Sequence, residues 1–294
     1  MAYKTYLSQR TNRHVVKRLS SDSAPATYDS LSFGVWSIPG VTNSDLNFPW
    51  GVAADGSDNI YICDTNNQRI VKLDSSCAFV AVYDVTNTVG TPYSMLFDST
   101  SGDLYVAGVY ANLYVRIERI TTALVQVRLS GNLNSMNDLW FRPTAICPDF
   151  TAGNFIVAGA NLDLYITTET TSFSTFVQQA IGGETTTWPE IYETTKYNGA
   201  IKHSVNSDLY LNNGRKIIRV DSSYDNIGDS DKIAKTITGL KEGKSGTLLT
   251  YNADEQKIVR YDSDLNFVED VYVDSGSVIA TDAYDVMDFV EIDV

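Results

Sequence analysis

Basic charge, histidine and cysteine are scarce in this chain, and each shortage removes a class of function. Lysine and arginine number 22 against 36 aspartates and glutamates, leaving a net charge of −14 over 294 residues. A surface this acidic repels phosphate, which argues against nucleic acid and against anionic membranes as partners. His14 and His203 are the two histidines, and no CxxC pair accompanies them, so a zinc site is not expected. No G-x-S-x-G stands beside either histidine, which argues against a nucleophilic triad, and both read as surface or packing residues. Cys63, Cys77 and Cys147 are odd in number. Cys63 and Cys77 share one repeat and are close enough in sequence to meet, but the other repeats lack equivalents, so all three read as reduced, partly buried thiols. A P-loop, a G-x-G-x-x-G fingerprint and an Asp box are also missing. So is any apolar run long enough for a membrane span, and no 3.6-residue periodicity persists far enough for a long helix. The opening MAYKTYLSQRTNRHVVKRL has no apolar signal core, so we expect a chain made in the cytoplasm without a classical signal.

What is present is repetition. Tyr6 to Ser21 (YLSQRTNRHVVKRLSS) resembles Tyr61 to Ser76 (YICDTNNQRIVKLDSS) at an ungapped shift of 55. Gly239 to Asp262 matches Gly51 to Asp74 at a shift of 188, and RKIIRVDSS (Arg215 to Ser223) matches RIVKLDSS at 147. The 188-residue shift covers four steps, a mean unit of about 47 residues, the size of a four-stranded propeller blade. One complete unit runs from Phe48 to Tyr83: FPWGVAAD, IYICD, RIVKLD and CAFVAVYD are short β-branched and aromatic runs separated by Asp, Asn, Gly and Ser.

The pattern predicts an all-β chain in a single domain, 1–294: a six-bladed β-propeller of four-stranded blades. Blades start near 48, 91, 142, 188 and 237. The last blade combines about 280–294 with 3–21, so that N- and C-terminal strands share it and close the ring without an unpaired edge. Small residues such as Gly51 to Ala54 and Thr144 to Cys147 fit innermost strands that converge on a crowded axis.

The segment FPWGVAADGSDNIYICDTNNQRIVKLD resembles an NHL repeat through Pro49, Gly51, Asn59, Ile60, Tyr61, Asp64, Asn67, Arg69 and Ile70. The resemblance implies a six-bladed propeller, with Asp64 and Arg69 as structural partners at strand ends. The family includes RNA-binding modules, protein-interaction modules and relatives of calcium-dependent lactonases, so it does not select an activity.

Two sets of residues are candidates for function. Aromatics beside prolines, namely Trp50, Tyr93, Trp140 and Trp188, fall just before opening strands and are expected near one channel mouth, where rings suit sugar or protein contacts. Glu190, Asp138, Asn137 and Asp285 are the oxygen donors available if calcium is bound there. DGSDN (Asp55 to Asn59) lacks a bidentate glutamate and reads as a turn. The leading expectation is a non-enzymatic interaction or structural propeller with no cofactor and with protein partners in a larger assembly. A virus or phage particle, as a tail or head appendage, is the assembly we expect. The alternatives are a calcium-dependent lactonase or arylesterase-like hydrolase and a carbohydrate-binding module.

Overall fold

The computed structural model describes residues 3–9, 15–18, 46–76, 78–111, 114–135, 143–159, 164–169, 176–179, 199–231, 237–255, 257–273 and 286–293. Strands β1 (Tyr3–Gln9) and β2 (Val15–Arg18) form a hairpin. The first four-stranded blade is β3 (Pro49–Ala54), β4 (Ile60–Asp64), β5 (Arg69–Leu73) and β6 (Phe79–Asp84). Next come β7 (Thr91–Asp98), β8 (Asp103–Tyr110), β9 (Tyr114–Thr121) and β10 (Gln126–Leu129), with β11 (Leu133–Ser135) also pairing with β9. The third blade is β12 (Pro143–Pro148), β13 (Asn154–Gly159), β14 (Leu164–Thr168) and β15 (Phe176–Gln179). The fourth is β16 (Gly199–Lys202), β17 (Leu209–Asn212), β18 (Ile217–Val220) and β19 (Asn226–Asp229). The fifth is β20 (Ile237–Gly243), β21 (Thr247–Asn252), β22 (Lys257–Tyr261) and β23 (Phe267–Val273). Finally β24 (Val286–Asp293) pairs antiparallel with β1.

This is an all-β propeller of four-stranded antiparallel meanders. The count departs from expectation. Five blades carry the four-stranded path, and the remaining sheet has three strands in the order β2-β1-β24. A fourth strand was expected from the repeat to follow Arg18, and residues 19–45 lie outside the described ones. The fourth blade's inner strand is described from Gly199, and position 188, where that blade was expected to begin, lies outside the described residues, Trp188 included.

Burial follows from radial packing. The middle strand β4 (IYICD) is buried along its whole length, because neighbouring sheets cover both faces. The outermost strand of the same blade, β6, is half-buried to exposed throughout. The apolar clusters lie between blades. Ala53, Tyr61, Cys63 and Ile70 of the first blade pack on Met95, Leu104, Val106 and Ile120 of the second. Similar clusters join the second to the third, the third to the fourth and the fourth to the fifth. Tertiary contact between sheets, rather than a common centre, therefore supplies the hydrophobic stabilisation.

The repeated Asp-Ser signature builds one turn. Asp74 Oδ1 accepts from the amides of Ser76 and Ala78, both at 2.9 Å. Asp221 Oδ1 accepts from Ser223 (2.8 Å) and Asp225 (3.0 Å), and Asp262 Oδ1 from Asp264 and Asn266, both at 2.9 Å. The carboxylate satisfies amides that the third-to-fourth strand hairpin leaves unpaired. DGSDN forms a comparable turn, with Asp55 Oδ1 accepting from Ser57 (2.8 Å) and Asn59 (3.0 Å).

A second device links successive blades. Tyr61, Tyr105 and Tyr210 each stand on a second strand, opposite Lys72, Arg119 and Arg219 on the third. All three rings are buried, and the paired cation lies over each at 5.3, 5.7 and 6.0 Å from the centroid. The hydroxyls reach the adjoining blade: Tyr61 to the Thr122 carbonyl (2.9 Å), Tyr105 to Glu169 Oε2 (2.6 Å) and Tyr210 to the Ser263 carbonyl (2.6 Å). Lys72 Nζ donates to the same Thr122 carbonyl at 2.8 Å, and Arg119 to Glu169 Oε1 at 3.0 Å. The tyrosines thus hold blades together.

Candidate functional site at the channel

The innermost strands come together because their side chains are small where they meet. A Cβ on Gly51 would lie 2.8 Å from the Tyr93 carbonyl, and one on Gly199 would lie 2.6 Å from the Leu240 amide nitrogen. Around the axis β3 packs on β7, β7 on β12, β12 on β16 and β16 on β20, while β24 packs against both β20 and β3.

A cavity of about 250 Å³ lies on this axis, lined by residues 52–54, 95–97, 146–148, 200–202 and 241–242. These are the second halves of five inner strands, so the cavity sits toward one end of the channel. Its walls are mainly apolar, and its charged groups are Lys202, Lys241 and Glu242. Lys202 Nζ donates to the Asp149 carbonyl at 2.8 Å and lies 5.8 Å from the Phe150 ring centroid. Lys241 Nζ is 3.5 Å from the Val52 carbonyl. Glu242 is turned toward Ser204, accepting from its amide at 2.9 Å and from its hydroxyl. Cys147 is a buried wall residue. Burial pushes its thiol up, with Asp149 adding to the shift, while Lys202 and Lys241 oppose it, so the thiolate nucleophile is not favoured.

His203 adjoins this cluster without joining a catalytic set. It is 2% exposed, its Nε2 donates to the Gly246 carbonyl at 2.6 Å, and Nδ1 lies 3.0 Å from Asn206 Oδ1. Nε2 joins the fourth blade to the β20–β21 turn, and Nδ1 stays within its own β16–β17 turn beside Asn206, a packing role. His14 lies outside the described residues.

The aromatic mouth separates into parts. Trp50 and Tyr93 meet edge to face, 5.2 Å between centroids. They stand in the first halves of β3 and β7, away from the cavity, and Trp50 is only 6% exposed. The indole fills the seam between the first two blades rather than offering a face to a ligand. Trp140 and Trp188 lie outside the described residues, as do Glu190, Asp138, Asn137 and Asp285. Among the described residues no group of three or more His, Cys, Asp and Glu side chains is placed to hold a metal ion. Sequence reading missed Lys202 and Lys241. Their signal was a lysine following an aliphatic residue in the inner strands of two successive units, Ile201-Lys202 and Leu240-Lys241.

The motif residues of the first blade converge on one carboxylate. Asp64 Oδ2 accepts from Arg69 Nε (2.6 Å) and Asn67 Nδ2 (2.9 Å), and Oδ1 from the Asn47 amide (2.6 Å). Burial pushes the Asp64 carboxyl up, while these hydrogen bonds and the guanidinium charge pull it back. Asp64 and Arg69 are therefore structural partners, as the resemblance implied.

Fold and axial channel define the class: a β-propeller. Residues 46–73 match the NHL repeat, so the first blade of this β-propeller is NHL-like. No curated relative matches the sequence. Among solved structures, a protein of unknown function from Bacteroides caccae superposes with a TM-score of 0.69 at 10% identity, covering 99% of both chains. Virginiamycin B lyase from Staphylococcus aureus gives 0.61 at 15% identity, covering 95% of this chain and 82% of that one. A second protein of unknown function, from Bacteroides thetaiotaomicron, gives 0.62 at 11% identity, covering 97% and 82%. At these identities the likeness establishes the fold alone.

Proposed function

We propose that the protein works by contact rather than catalysis, as a subunit of a larger assembly. One observation carries this reading: the outer strands combine an open hydrogen-bonding edge with exposed apolar side chains. Val80 on β6, Val127 on β10, Ile227 on β19 and Phe267 and Val268 on β23 are all about half exposed. Each of these strands pairs on one side among the described residues. Such edges suit a partner strand that adds backbone bonds and buries the apolar row. We read the β2-β1-β24 sheet as the sixth blade, closing the ring between the fifth blade and the first. The packing of β24 against β20 and β3 supports this.

The test is a stoichiometric complex isolated from the native source and its loss in Val80→Lys and Phe267→Lys variants. A chain that stays monomeric in its native setting, with both variants fully functional there, sinks the reading. A virus or phage particle is the assembly we propose, on composition. Mass spectrometry of purified particles checks it, and absence of the chain from them removes that part. Calcium titration is an independent check on the contact reading: a ligand bound only by the folded state raises the melting temperature. We expect no shift at millimolar calcium and no ester or lactone turnover.

A further inference from the structure

We propose that the axial cavity binds a small organic monoanion with a compact apolar body, its carboxylate received by Lys202. The size of the site sets the first limit. At about 250 Å³ it falls just below the range of drug-sized sites, roughly 300 Å³ and upward. The walls set the second. Ala53, Met95, Ile146, Ala200 and Ile201, from four different blades, offer an apolar lining that rewards a compact hydrocarbon or aryl group.

Charge sets the third limit. An ammonium carries three donors, and Lys202 directs one to the neutral Asp149 carbonyl at 2.8 Å. None of the ion pairs among the described residues involves Lys202. Its half-buried charge is therefore balanced by a carbonyl and the Phe150 ring rather than by a carboxylate. Among the described residues the one carboxylate in the lining, Glu242, is engaged by the amide and hydroxyl of Ser204. A carboxylate placed against Lys202 gains a charge-assisted hydrogen bond in a partly desolvated setting. The proposed binding is reversible and non-covalent, and it stands independently of the contact function above.

Benzoate and hexanoate are the probes, added to the full chain and followed by calorimetry and thermal shift. Benzamide and inorganic phosphate serve as controls for charge and for the apolar body. We expect saturable binding of a carboxylate and a concentration-dependent rise in melting temperature, with neither control matching it. Lys202→Met is expected to weaken binding at least about tenfold with the unliganded melting temperature retained, and Lys202→Arg to restore it. The proposal is overturned by no saturable binding of either carboxylate, by equal binding of benzamide or phosphate, or by unchanged affinity in Lys202→Met. A readout that needs no lysine variant is the Met95 methyl resonance of the wild type, which should move on benzoate addition. A carboxylate that binds without moving it occupies another place and also overturns the proposal.

Discussion

The first and fifth blades place the same pair of positions at the end of the second strand and solve the junction differently. In the first, Asp64 faces Arg69 across the ladder, and the guanidinium is drawn in to a 2.6 Å ion pair with side chains almost wholly buried. In the fifth, Asn252 faces Lys257. Asn252 is buried and accepts from the amides of Asp254 (3.1 Å) and Glu255 (3.2 Å). Lys257 turns away to Glu255 and Asp270. The fourth blade also uses an asparagine: Asn212 Oδ1 accepts from the Gly214 amide at 2.7 Å. The turn needs an acceptor, and an amide supplies one. A carboxylate at this depth is tolerated only where several donors and a guanidinium converge on it.

The sharpest break of this comparison is Asp64→Ala. It removes the carboxylate that the buried Arg69 guanidinium meets across the ladder, and a loss of about 3–5 kcal/mol is expected in urea or thermal unfolding. Copying the fifth blade with the double change Asp64→Asn and Arg69→Lys should cost less than Asp64→Ala, since the acceptor is retained and the stiff fork removed. An equal or greater loss means that the two solutions are not interchangeable. The reverse change, Asn252→Asp, buries a charge with no guanidinium to meet it, and about 1–3 kcal/mol is expected at neutral pH.

Removing a clasp hydroxyl tests whether blades are coupled rather than merely stacked. Tyr105→Phe leaves Glu169 short of one donor while Arg119 and Arg128 still reach it. Destabilisation of about 1 kcal/mol is expected, with hydrogen exchange rising in both the second and third blades. Exchange that rises in the second blade alone breaks the idea of coupling.

The smallest effect concerns a buried carboxylate lacking a guanidinium. Glu118 is fully buried and accepts from Tyr83 Oη and Thr88 Oγ1, both at 2.7 Å. Burial pushes its carboxyl above the ordinary 4.5, against those two hydrogen bonds. The raised value means that its favourable contribution is present below the unfolded pKa and is lost as pH rises through the folded one. Asp74 and Asp84 behave oppositely. Hydrogen bonds, first from the hydroxyls of Ser76 and Thr86, hold them below 3.8, so their contribution is present above that value and is lost as pH falls through the folded one. Urea midpoints from pH 3 to 7 should therefore show a neutral-side decline that Glu118→Gln removes and an acid-side loss that it leaves in place.

The sequence showed these features unevenly. The Asp-Ser turns were legible because all their partners lie within four residues, and a repeated local contact leaves a repeated local string. Strand order within a blade was legible for a related reason, since each strand pairs with the next one along the chain across a short turn. The tyrosine clasps were not, because each hydroxyl finds its acceptor 53 to 64 residues away in the adjoining blade. The enclosure of Trp50 was not legible either, because Gly51 lets the Tyr93 backbone of the next blade approach, a contact that no local string records. The cavity lysines were overlooked because one lysine following an aliphatic residue looks like any solvated charge until five strands are seen to converge.

The ladder between β1 and β24 puts Tyr3 opposite Asp293. Tension applied through the two tails therefore acts at one end of a single antiparallel ladder. The rungs open in succession, one pair at a time, instead of sharing the load in shear. An anchor pulling on both tails would peel this sheet first, and the five four-stranded meanders would feel the force only after that ladder had parted.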